Sequence, residues 1–87
     1  MHTVEISYTA HALARMSERG VTRQQVETVL QSPLRVLPAE ANRTEVQGMI
    51  DRTGTSMLLR VIVESGAVVT VVTVITTSTI SKTGASP

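Results

Sequence analysis

At Ser32-Pro33 the hydrophobic period of the chain changes from helical to alternating, and no other feature constrains the fold as much. From Ala10 to Gln31 apolar residues recur at helical spacing. After Pro33 they alternate. Proline ends the helical half because the residue before it disfavours helical geometry. A run of helices followed by a run of strands argues for α+β. The expected architecture is two N-terminal helices packed on a three- to four-stranded antiparallel sheet. Residues 1–76 should form a single α+β domain and residues 77–87 a flexible tail, because Thr76 to Pro87 is rich in Ser and Thr.

The helical half has explicit starts and stops. Met1 to Tyr8 alternates and suits a short strand or an extended lead-in. A first helix is expected from about Ala10 to Arg19, capped by Thr9 or Ser7 and ended by Gly20 in a left-handed conformation. Leu13 and Met16, with Ala10 and Ala14, mark its apolar side. Thr22-Arg-Gln-Gln25 matches a capping box, so a second helix should run to about Gln31 with Val26, Val29 and Leu30 inward.

The alternating half reads as strands. Leu34 to Leu37 ends at Pro38, which suits an edge. Glu45 to Asp51 alternates only weakly. Gly54 marks a hairpin turn, and Ser65-Gly66 marks a second one. Between them Met57, Leu59, Val61 and Val63 form one face, while Leu58, Arg60 and Ile62 form the other, opposite the helices. Ala67 to Ile75 is apolar on both faces apart from Thr70 and Thr73, so it should lie centrally. Such a run is an aggregation hazard if left uncovered.

Composition excludes several classes of function. With 87 residues and a net charge of +1, the chain is a single small domain without the charge of a dedicated nucleic-acid binder. It has no cysteine, which rules out disulfides and cysteine-based metal or nucleophile chemistry. Two histidines are too few to suggest a metal site, and no Gly-rich phosphate loop follows a strand. Neither a metal nor a cofactor is expected. No apolar run is long enough to span a bilayer, so a cytoplasmic protein is the expectation and a membrane partner is not.

The polar side of the first helix carries the candidate chemistry. His11, Arg15 and Arg19 recur every fourth residue and share one side. A titratable imidazole beside two permanent cations can serve as acid or base and hold phosphate. The same residues can also form a solvated face, with Arg15 paired to Glu18 or Glu5 and Arg19 favoured by the helix dipole. Arg60 sits mid-strand in apolar company. It must reach an open face or pair with a carboxylate, for which Glu45, Asp51 and Glu64 are available. Arg35 and Arg43 complete the candidate substrate-binding set.

The motif Ile6-Ser-Tyr-Thr-Ala-His11-Ala-x-x-Arg15-Met-x-x-Arg19-Gly20-Val-Thr resembles a known family. With Ser32-Pro33 and the strand Val68-Val69-Thr70-Val71, it resembles the bacterial and phage domain of unknown function 4258 over roughly residues 4–76. That family is similar in layout to the RelE/BrnT-like ribonuclease toxins of toxin–antitoxin pairs. The resemblance implies metal-independent RNA cleavage, His11, Arg15 and Arg19 as recurring polar positions, and a cognate antitoxin partner. This chain lacks the Tyr, Lys and Arg cluster common near the C-terminal strands of such toxins.

Two functions follow as expectations. One is a toxin-like ribonuclease, with catalytic His11, Arg15 and Arg19 and with Arg60, Arg35 and Arg43 binding RNA. The other is a non-enzymatic protein-interaction module, a homodimer or an accessory subunit. The enzyme reading needs its cations around one cleft, whereas the module reading leaves them dispersed.

Overall fold

The structure, a computed structural model, describes residues 5–52 and 54–77. Its order is β1 (Ile6–Tyr8), α1 (Ala10–Arg19), α2 (Arg23–Gln31), β2 (Arg35–Ala39), β3 (Arg43–Arg52), β4 (Thr55–Glu64) and β5 (Val69–Thr77). The fold is α+β, with five strands where three to four were expected. They form one sheet in the order β1-β5-β4-β3-β2. Nor is the sheet wholly antiparallel: β1 pairs parallel to β5, Ile6 against Val69 and Tyr8 against Val71. A three-residue strand is too short to show a period, which is why Ile6 to Tyr8 could equally be read as a lead-in.

Local signals set the helix ends. The Thr9 hydroxyl accepts from the amide of Ala12 and starts α1. Gly20, at φ 67, ends it in the left-handed region. Thr22 and Gln25 close a reciprocal capping box at the start of α2. The inward side of α1 differs from expectation. Ala12 and Met16 are buried, while Leu13 remains 38% exposed. The Thr9 hydroxyl also donates to the carbonyl of Val72, which ties the start of α1 to β5 and fixes which way the helix faces.

The core lies between the helices and one face of the sheet. α1 packs against β5, and α2 packs against β3 and β4. Val26 and Val29 of α2 meet Val46, Ile50, Leu59, Val61, Val63, Val71 and Val74 of the sheet in one buried cluster. Gly48 explains the weak pattern of β3. A Cβ there would lie 2.9 Å from Cγ2 of Val29, so only glycine lets α2 approach. Despite that pattern, β3 pairs regularly with both β2 and β4.

The β2–β3 turn places Ala41 and Asn42 both at φ 61, the left-handed pair typical of tight hairpins. Alanine rarely takes that conformation, so sequence alone gave no turn type there. The connection after β4 runs through residues 65–68 and is longer than the two-residue turn expected at Ser65-Gly66. β5 starts at Val69, not Ala67, and it is second in the sheet while β4 is central. Apart from Thr77, which ends β5, the expected tail lies outside the described residues.

Candidate functional site

The candidate residues fall into two groups on opposite sides of the molecule. His11, Arg15 and Arg19 lie on α1, whose Ala12 and Met16 point into the core. His11 and Arg19 are exposed and Arg15 is partly so. Arg15 Nη1 reaches Glu18 Oε1 at 3.4 Å, an exposed pair of the kind worth little in water. This i,i+3 contact is one of the two pairings anticipated for Arg15.

Arg60 lies on the face of the sheet turned away from the helices. Its neighbours Leu59 and Val61 are fully buried in the core, and strand alternation sends Arg60 to the other side. Register places Arg60 opposite Gln47 and Glu45 opposite Ile62. The guanidinium therefore reaches diagonally across the strands to a carboxylate. Arg60 Nε donates to Glu45 Oε2 at 2.7 Å and Nη2 donates to Oε1 at 3.2 Å. Gln47 Nε2 donates to the same Oε2 at 2.6 Å.

This arrangement has an electrostatic consequence. Hydrogen bonding from Arg60 holds the Glu45 carboxyl below the usual carboxylate range, outweighing the opposing effect of burial. The same bond raises the Arg60 guanidinium above its usual value. Both groups stay ionised and neutralise each other.

Arg35 and Arg43 share this open face. Arg35 stands opposite Gln47, and Arg43 shares the face of Glu45 two residues on. Arg43 Nε donates to Glu64 Oε2 at 3.0 Å. The three candidate substrate-binding arginines are thus together, but Arg60 and Arg43 each hold a carboxylate. The three candidate catalytic residues are on α1, beyond the full thickness of the sheet. The structure does not bring the two sets around one cleft.

A cluster that sequence reasoning missed sits between β1 and α2. The Arg23 guanidinium carbon lies 5.1 Å from the Tyr8 ring centroid. The Tyr8 hydroxyl is buried and has no hydrogen-bond partner among the described residues. Burial pushes its pKa above the ordinary value, Glu27 adds to this and Arg23 opposes it. The signal available in sequence was the single aromatic, with no spacing to link it to Arg23.

Among the described residues no group of three or more His, Asp or Glu side chains is placed to hold a metal ion. No helix of the described residues is long and apolar enough to cross a membrane. A protein-family profile described as "Domain of unknown function (DUF4258)" matches residues 8–82. No curated protein and no solved structure matches the chain.

Proposed function

For this chain, which belongs to the DUF4258 family, we propose the role of a non-enzymatic protein-interaction module, a homodimer or an accessory subunit acting in the cytoplasm. One observation carries this reading. The cations an RNA-cleaving site would need are split between the outer side of α1 and the opposite face of the sheet. Metal-independent cleavage needs a base, an acid and phosphate-binding cations within hydrogen-bond reach of one scissile group. His11 and Arg60 are separated by a sheet and its core. Arg60 and Arg43 already satisfy Glu45 and Glu64, so they offer phosphate little uncompensated charge. The test is RNA incubated with purified, folded protein in EDTA. The module reading expects no cleavage above background.

A second reading keeps the ribonuclease, on the strength of the His11, Arg15 and Arg19 line along α1. These residues rise by about 6 Å per step of four residues along one side of α1, with Arg15 paired to Glu18. In this reading the protein is a toxin-like ribonuclease of a toxin–antitoxin system, with His11 as acid or base and a cognate antitoxin as partner. It expects growth arrest on expression, with RNA cleavage that His11→Ala abolishes.

A further inference from the structure

The two edges of the sheet differ. β2 forms one edge and contains Pro38, which has no amide to offer, and the exposed Arg35. Proline and charge are the usual protections of an edge. β5 forms part of the other edge. β1 covers only Val69 to Val71, and Thr9 extends that cover with its amide on Val71 and its hydroxyl on Val72. From Thr73 to Thr77, β5 has no strand on its outer side among the described residues.

Those five residues, Thr-Val-Ile-Thr-Thr, are all β-branched and uncharged, with no proline or glycine. Register settles which main-chain groups face outward. The Leu34 amide donates to the Gln47 carbonyl, so Gln47 turns its main chain to β2 and its partner on β4, Arg60, turns to β5. Along β4, every second residue from Glu64 to Leu58 therefore presents its main chain to β5, and their partners are Thr70, Thr73, Ile75 and Thr77. The bulge between the Ile62 and Val63 pairings resets the phase after Val71. Val74 and Thr76 therefore turn their amides and carbonyls away from β4.

We propose that a second copy of this chain pairs here, β5 against β5, antiparallel about a two-fold axis through Ile75. The proposal rests on the interaction-module reading and names its partner. Such pairing sets Val74 of one protomer opposite Thr76 of the other, which satisfies the outward main-chain groups of both. Ile75, 37% exposed on the open face, then meets its own counterpart at the non-hydrogen-bonded position, where side chains approach closest. Identical edges meet without repulsion, because Val68 to Thr77 contains no charged residue. Pairing through β2 would instead lose hydrogen bonds at Pro38. A five-residue contact falls short of the roughly 800 Å² per partner of standard interfaces, so the dimer is reversible.

The test is sedimentation of the full chain from low micromolar to near-millimolar concentration. The parent should shift from one chain to two with concentration. Thr76→Pro removes an outward amide, and Ile75→Lys sets two like charges face to face. Each should weaken dimerisation at least tenfold, with the circular dichroism of the dilute protein unchanged. If Thr76→Pro fails to fold, Ile75→Lys decides the matter. A parent that stays monomeric throughout, or a dimer that Ile75→Lys leaves as tight as the parent's, overturns the proposal. Neither result bears on whether the protein cleaves RNA, so the two readings fail separately.

Discussion

Arg60 and Glu45 form a two-pronged ion pair across β4 and β3, at 2.7 and 3.2 Å, on the sheet face that carries no helix. The Glu45 side chain is 13% exposed and that of Arg60 is 36% exposed. Truncating the arginine leaves the more enclosed partner charged, with Gln47 as its remaining side-chain donor among the described residues. Arg60→Ala should destabilise the fold by about 1–2 kcal/mol after allowance for solvent screening, read as a lower urea midpoint at unchanged slope.

The same pair sets an acid limb of stability. The folded-state pKa of Glu45 lies below its unfolded value, so the folded protein binds the proton less readily. The stabilisation is complete above the ordinary carboxylate pKa, about 4.3, and is lost as pH falls through the lowered one. Urea titrations below about pH 5 should show stability falling with pH, and Glu45→Gln should flatten that slope. An unchanged slope in the variant would show that other carboxylates carry the effect.

At Gly48 the Val29 side chain of α2 comes close to the backbone of β3. Gly48→Ala places a methyl group 2.9 Å from Val29 Cγ2 and 3.1 Å from Cγ1, on a side chain only 2% exposed. The expected loss is about 1–3 kcal/mol. Adding Val29→Ala to Gly48→Ala should cost less than the sum of the two single changes, because the new methyl fills space that valine vacates.

Tyr8 is the only aromatic residue, so its phenol can be titrated by ultraviolet absorbance without overlap. It should ionise above the ordinary value of 10.0. Removing Arg23 should raise the midpoint further and removing Glu27 should lower it, since the two charges act in opposite directions.

Sequence revealed most where chemistry is local. The period change at Pro33, the capping box at Thr22 and Gln25, and the glycine stop at Gly20 depend on neighbours within four residues. The faces of β4 followed from simple alternation, so the side taken by Arg60 was legible too. Its partner was not. Glu45, Asp51 and Glu64 were all available, and only the register of β3 against β4 chooses Glu45 for Arg60 and leaves Glu64 to Arg43. That Ile6 to Tyr8 joins the sheet escaped because its parallel pairing with β5 links residues more than sixty apart. Leu13 misled because hydrophobicity alone suggested it faced inward, whereas the tether from Thr9 to β5 turns Ala12 and Met16 to the core.

The central claim is that the two groups of cations do not make one catalytic site. Incubation of RNA with purified, folded protein in EDTA, beside a His11→Ala control, tests it most directly. The account predicts no cleavage by either protein. Cleavage by the parent that disappears in a folded His11→Ala protein would contradict it and make α1 the seat of a ribonuclease.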